Sequence, residues 1–301
     1  MVLQYLKLMR PLNALMSALG VFIGGFIVIG LNPTYFFGLA PLYLAMLVGF
    51  LITGAGNAIN DVLDIESDRI NRPKRPIPSG RISRRKAIGF SVTLFAIGIV
   101  LCGFLNWVCF ILAVFNSAVL IVYSVVLQNK ILLGNIAVSY LVGYTFLFGG
   151  AVAMNLKLPL LLMLLASLAN LSREIIKDLE DIEGDRVGFL KKLALNVKTT
   201  VASRFGVGSG GKVSVAYGRQ GAINTAIASM TCAIIVSPVP FLLGILGWLY
   251  LVFVVPTDII FVLSICLMAR VKGRRNYSWI SRLIKTGMFL GLVAFIVGVI
   301  F

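Results

Sequence analysis

The chain contains no histidine among its 301 residues. That removes an imidazole base, a Ser-His-Asp triad and a histidine-ligated zinc centre from the available chemistry. Charge is scarce as well: 13% of residues are charged, against roughly 25% in a soluble domain, too few to build a water-facing surface. Acid is scarcest, with 11 Asp and Glu against 27 Lys and Arg and a net charge of +16. The four cysteines, Cys102, Cys109, Cys232 and Cys266, lie inside apolar runs with no CxxC pair, so they read as small hydrophobic residues. What is abundant is apolar: 59% of residues are hydrophobic and the mean hydropathy is +0.99. The composition is that of a membrane protein.

A spanning helix needs about 20 mostly apolar residues. Runs that qualify are 12–31, 37–59, 87–105, 107–127, 132–153, 158–172, 221–237, 241–269 and 283–301. The eighth holds Pro256 and Asp258 and reads as one kinked helix or two short ones. Charge decides between them. With nine spans, 26 of the 27 basic residues fall on one side and only Lys157 on the other. Lys and Arg concentrate in cytoplasmic loops, so the N-terminus and the basic loops are expected to face the cytoplasm. The segment MVLQYLKLMRPLN shows no small-residue cleavage site and reads as a retained first helix. The expected fold is an all-α, nine-transmembrane-helix bundle with a cytoplasmic polar cap, a single domain over 1–301.

Ten of the eleven acids fall in two windows, 61–68 and 174–185. Both lie at cytoplasmic ends of apolar runs separated by four spans, so both are expected on the same membrane face. They repeat one another: DVLDIESDR (61–69) and DLEDIEGDR (178–186) are identical at six of nine positions. Aspartates at i, i+3 and i+7 lie within a ~60° arc of a helix, one carboxylate face per window. Stacked carboxylates repel unless a cation sits between them. On a merely solvated surface the acids would scatter over many loops, and here the other cytoplasmic loops have none. Two sets of hard oxygen ligands suit Mg²⁺, which takes one or two carboxylates and completes its shell with water and phosphate. Calcium storage or transport would leave the interleaved Lys and Arg without a purpose, whereas a diphosphate held between Mg²⁺ and those cations uses both. A cation-coupled membrane carrier is the reading from another class, but it would place polar groups near the bilayer midplane.

At Asn60–Asp68 (NDVLDIESD) and Asp178–Asp185 (DLEDIEGD) the sequence resembles the UbiA superfamily of intramembrane prenyltransferases, in its NDxxDxxxD and DxxDxxxD motifs. The stretch NRPKRPIPSGRIS (71–83) resembles that family's Arg-Pro-Ile/Leu-Pro-x-Gly segment, with weaker echoes at Tyr123-Ser124 near Lys130, Gly134-Asn135 and Lys198-Thr199. The resemblance runs from Arg10-Pro-Leu-Asn13 to the last helix. It implies a helical bundle whose polar cap holds Mg²⁺ bridging a prenyl diphosphate, with the isoprenoid tail in a lipid-side tunnel. Residues 173–186 resemble the archaeal branch that makes membrane ether lipids, joining geranylgeranyl diphosphate to the free hydroxyl of geranylgeranylglyceryl phosphate. Enzymes that prenylate an aromatic acceptor in quinone biosynthesis have a similar stretch and are the alternative. The expected partners are a prenyl diphosphate, a lipid-phosphate acceptor and membrane lipids, with no nucleic acid and no protein partner implied.

Carried over residue by residue, the resemblance puts Asn60, Asp61, Asp64 and Asp68 at a first metal site and Asp178, Asp181 and Asp185 at a second. Asp64, Asp68, Asp181 and Asp185 are the expected catalytic set. Asp61 has the alternative of orienting a basic neighbour. Asn57, Arg72, Arg75, Tyr123, Lys130, Asn135, Arg173 and Lys177 are substrate-binding candidates. Glu66 and Glu183 point off the carboxylate arc and are expected in loop salt bridges, and Asp258 is left outside the site. The stretch GVGSGGK (206–212) lacks phosphate-loop spacing and reads as part of a 186–220 loop covering the site.

Overall fold

A computed structural model describes residues 2–29, 39–128, 131–195, 212–270 and 274–300, with backbone only at 67, 70, 71 and 131 and over 182–195, 212–217 and 274–275. Lys130 and the side chains of Glu183 and Asp185 lie outside the described residues, as do 196–211 of the expected covering loop. Among the described residues the regular structure is entirely helical. The elements are α1 (Val2–Met9), α2 (Pro11–Ile29), α3 (Leu39–Leu63), α4 (Ile65–Asn71), α5 (Arg84–Cys102), α6 (Trp107–Val122), a π-helical turn (Tyr123–Leu127), α7 (Ile131–Val152), α8 (Lys157–Leu195), α9 (Lys212–Val236), α10 (Val239–Leu242), α11 (Trp248–Arg270) and α12 (Arg274–Ile300).

Nine stretches among these are long and apolar enough to cross a membrane, and the protein is an integral membrane protein. Each matches one of the runs read from the sequence. The exposed residues agree: Phe104, Trp107, Phe115, Trp248, Ile259 and Phe289 are more than half exposed, apolar surface that only lipid would cover. Several helix ends differ from the expected ones, those of the sixth and eighth runs among them. The sixth span does not stop at 172; α8 runs unbroken through Asp181 to Leu195, because Lys177, Glu180 and their neighbours are good helix formers once past the apolar stretch. The eighth run is one helix with Pro256 inside it, and α10 with Gly244 at φ +65° forms the turn before it.

The chain divides into two compact units, residues 1–128 with 140–164, and 129–139 with 165–299. The core of the first is built on Leu42, Val48, Phe95, Tyr144 and Phe148. Within it α2 and α7 touch backbone to backbone. A Cβ on Gly24 would strike the Phe146 carbonyl, and one on Gly149 would strike that of Val21. Side-chain caps fix the helix starts: the Ser83 hydroxyl accepts from the Lys86 amide at 3.4 Å and Asn106 from that of Cys109 at 2.9 Å. Asn106 also donates to the Ala151 carbonyl (3.0 Å), tying α6 to the end of α7.

The second unit is centred on Ile175, Ile176, Met230, Tyr277, Ile280 and Ile284. Arg219 donates to the Tyr277 hydroxyl at 2.7 Å. Asp258 accepts from the Ser237 hydroxyl at 2.6 Å, so this acid finds a partner in its own unit, remote in sequence from both aspartate windows.

Candidate functional site

The first aspartate window does not form one uninterrupted helix. Asp64 stands between α3 and α4 with φ −86° and ψ 7°, a bend in the chain. The i→i−4 pattern survives across it, Asp64 N–H to Asn60 at 3.0 Å and Asp68 N–H to Asp64 at 2.8 Å, so the three aspartates keep roughly their helical order while Asp64 is turned out of line.

Their surroundings separate them. Asp61 is 2% exposed and Asp68 6%. Asp61 accepts from Arg10, and from Arg75 at 2.9 Å; the same Arg75 nitrogen reaches Asp68 at 2.5 Å. One guanidinium therefore bridges residues about two helical turns apart. Asp64 instead meets neutral amides. Gln128 Nε2 donates to both its oxygens, at 2.8 and 2.9 Å, and Asn60 Nδ2 donates to Oδ2 at 3.1 Å. Asn60 Oδ1 is buried with no hydrogen-bond partner.

A buried amide oxygen without a donor needs an explanation, and a hard cation supplies one. Among the described residues no three acidic or cysteine side chains converge on a point that could hold a metal ion. Of the four oxygen donors read from the sequence, two have no arginine on them among the described residues: the open oxygen of Asn60 and the carboxylate of Asp64. That set suits Mg²⁺, which is content with one or two protein oxygens. Asp61 holds Arg10 and Arg75, the kind of contact that its alternative reading expects. Glu66 pairs with Arg69 at 3.1 Å on the surface, as expected of an acid off the arc.

Beside Asp61 opens a cavity of about 510 Å³ lined by Lys7, Arg10, Asp61, Arg72, Pro73, Lys74, Arg75 and Pro76. Five cations and one carboxylate make it an anion site. Arg10 forms the elbow between α1 and α2 with φ +50°, an uncommon conformation for a non-glycine residue and disfavoured before a proline. Its guanidinium on buried Asp61 holds that elbow in place. Asn57 donates to the Met9 carbonyl at 2.9 Å, so this expected substrate residue ties down the end of α1.

In the second window, Asp178 accepts from Asn135 Nδ2 at 2.9 Å. Arg173 is held by Glu174 at 2.5 Å and by Asn170 at 3.3 Å. Asp181 and Lys177 are exposed on the same helix. Tyr123 opens the π-helical turn, its carbonyl accepting from the Gln128 amide at 2.8 Å.

Sequence reasoning did not single out Gln128; it counted Lys7 and Arg10 only as charges of the basic side, Arg10 also as the start of a resemblance, and held Lys74 only within the basic stretch 69–86. Gln128 had one visible signal, a polar residue closing an apolar run on the basic side. Its register depends on a π turn that side-chain propensities do not announce.

The model of the UbiA prenyltransferase family matches residues 17–293. A digeranylgeranylglyceryl phosphate synthase from Methanopyrus kandleri is 41% identical over 292 residues, covering 97% of each chain. A solved structure concerned with digeranylgeranylglyceryl phosphate synthase in membranes superposes with a TM-score of 0.83 at 33% identity, covering 99% of this chain and 98% of that one. A UbiA homologue from Archaeoglobus fulgidus, solved bound to GPP and Mg²⁺, shares the fold with a TM-score of 0.66 at 17% identity, covering 97% of this chain and 99% of its own.

Proposed function

The chain belongs to the UbiA prenyltransferase family, and from that premise we propose that it transfers a geranylgeranyl group from geranylgeranyl diphosphate to the free hydroxyl of geranylgeranylglyceryl phosphate, in archaeal ether-lipid synthesis. The site faces the cytoplasm from the cell membrane, and 1–301 acts as one prenyltransferase domain. The observation that carries the reading is the division of labour within the first window: Asn60 and Asp64 present oxygens for a cation, while Asp61 and Asp68 anchor a cavity of cations for an anion. An enzyme that handles a metal-bound diphosphate and a second, phosphorylated lipid needs both.

In this scheme Asn60 and Asp64 hold one Mg²⁺, and Asp178, Asp181 and Asp185 hold the second. When bound, Mg²⁺ stabilises the charge that develops on the departing diphosphate. Lys130, Arg173 and Lys177 are taken as diphosphate-binding residues, and the ring of Tyr123 as facing the allylic cation. Asn135 orients Asp178 through the bond they share. The apolar spans keep water from the cation, which it would capture. The allylic C–O bond breaks and the acceptor hydroxyl forms the new ether bond. Its proton passes to the released diphosphate or to a carboxylate.

Lys7, Arg72 and Lys74 line the cavity and have no acidic partner among the described residues; they take the acceptor's phosphate, with Arg10 and Arg75 set behind them by Asp61. Replacing all three with alanine should raise KM for geranylgeranylglyceryl phosphate about tenfold or more while KM for the diphosphate changes little, since each charge-assisted contact is exposed and individually modest. An equal rise in both constants would move this cavity to the donor. The function itself is tested with purified protein in detergent, Mg²⁺, labelled geranylgeranyl diphosphate and either lipid phosphate or an aromatic acid as acceptor. Formation of the doubly prenylated glycerol phosphate is expected. Transfer to the aromatic acid alone would overturn the acceptor.

A further inference from the structure

The amide of Gln128 lies in an unusual place. Its nitrogen is almost equidistant from the two oxygens of Asp64, 2.8 and 2.9 Å, so it stands on the line that bisects the carboxylate. That is the seat a cation would take if Asp64 chelated it with both oxygens. A π-helical turn places it there. Over Tyr123–Leu127 the helix closes with i→i−5 bonding, Gln128 N–H to the Tyr123 carbonyl at 2.8 Å, one residue more within the hydrogen-bonded ring than in an α-helix. Continuing α6 in α register would rotate position 128 about 100° away.

Cations differ in whether they need that seat. Calcium takes six to eight oxygens and often uses a carboxylate through both; magnesium insists on a small octahedral shell and takes carboxylates singly with water and phosphate. Asp64 Oδ2 already receives two amide donors, from Gln128 and Asn60, whereas Oδ1 receives one. Ligation by Oδ1 alone therefore remains compatible with the Gln128 bond, and chelation does not. We propose that Gln128 is a metal-selectivity residue: by occupying the chelating seat of Asp64 it restricts the carboxylate to one-oxygen ligation and so favours Mg²⁺ over Ca²⁺. The inference rests on the reading of Asp64 as a metal ligand. Gln128 acts through Asp64 and is a positioning residue.

The test is metal binding by the full chain in detergent, without turnover. Free Mn²⁺ is followed by its spin-resonance signal, and Mg²⁺ and Ca²⁺ are titrated as competitors. In the native protein Mg²⁺ should displace Mn²⁺ at lower concentration than Ca²⁺ does. Gln128→Met, which keeps the side chain's length but removes its donors, and Gln128→Ala should each shift the Ca²⁺-to-Mg²⁺ competition ratio toward Ca²⁺ by about tenfold, the size typical of a group that orients a ligand. Thermal midpoints near the native value would show that the fold is kept. An unchanged ratio in folded variants that still bind Mn²⁺ overturns the proposal and leaves the metal site standing. Mn²⁺ binding that Asp64→Ala does not weaken overturns the metal reading of Asp64 and this proposal with it. If neither variant folds, the native ratio decides: equal competition by the two cations sinks the idea.

Discussion

Asp64→Ala should lower Mg²⁺-dependent prenyl transfer on the order of a thousandfold or more while leaving the protein folded. Loss of an oxygen ligand removes several kcal/mol of charge stabilisation from the step in which the diphosphate departs, and each 1.4 kcal/mol is about tenfold in rate. The fold should survive because, among the described residues, the Asp64 side chain pairs with the Gln128 and Asn60 amides and with no charged group. Asp61→Ala is the contrasting case. It removes the buried carboxylate on whose one oxygen Arg10 and Arg75 converge, leaving two neighbouring guanidiniums with Asp68 pairing Arg75 alone. Breaking a buried pair costs about 3–5 kcal/mol, less here because Arg10 has 28% of its side chain exposed. Asp61→Ala should therefore lower thermal stability and raise KM for the lipid phosphate, whereas Asp64→Ala should lower kcat with a native-like melting curve. Turnover in detergent beside a thermal-shift measurement separates the two. Near-native kcat in Asp64→Ala would remove this carboxylate from the metal site, and equal loss of stability in both variants would show that Asp64 is as structural as Asp61.

The contrast between Asp61 and Asp64 also marks where the sequence stops being legible. The spans, their number and the two aspartate windows follow from local rules: apolar run length, charge asymmetry and the i, i+3, i+7 spacing of acids. Those features are written in residues close together in the chain. The roles within the first window depend on partners far away in it. Arg10 reaches Asp61 across 51 residues and Gln128 reaches Asp64 across 64, and no local pattern encodes either meeting. The expectation of oxygen donors at Asn60, Asp61, Asp64 and Asp68, with Asp61 alternatively orienting a basic neighbour, read the carboxylate arc as an isolated helix. In the folded chain the Arg75 guanidinium sits on that arc and claims its first and last members. The bend at Asp64 then turns the middle one toward the π-helical turn. Asn57 shows the same limit: its place on the polar face was legible, but its partner is a backbone carbonyl of α1.

The second large effect is on stability, and it comes from glycine. Gly149→Val should cost more than about 3 kcal/mol, seen as a large drop in the midpoint of thermal inactivation in detergent. A Cβ at position 149 would overlap the Val21 carbonyl oxygen and stand 2.6 Å from the Gly25 backbone nitrogen. The three nearest atoms are all backbone of α2, so no flexible side chain is available to swing away, and α2 and α7 must separate. Gly24 meets the Phe146 backbone in the same seam, and Gly24→Val should behave alike. Gly89 in α5 is the control: nothing lies within 4 Å of an added Cβ, and Gly89→Ala should be neutral or raise the midpoint slightly, since alanine is the better helix former by about 1 kcal/mol. The seam also bears on function through α2. This helix begins at Pro11, directly after the Arg10 elbow, so prising its middle from α7 tilts the end that carries Arg10 away from Asp61. Protein of Gly149→Ala that survives purification should thus bind the lipid phosphate more weakly than native protein, although no cavity residue has been changed. Native phosphate affinity in a strongly destabilised Gly149→Ala would show that the elbow is fixed by its own ion pair and needs no support from the seam.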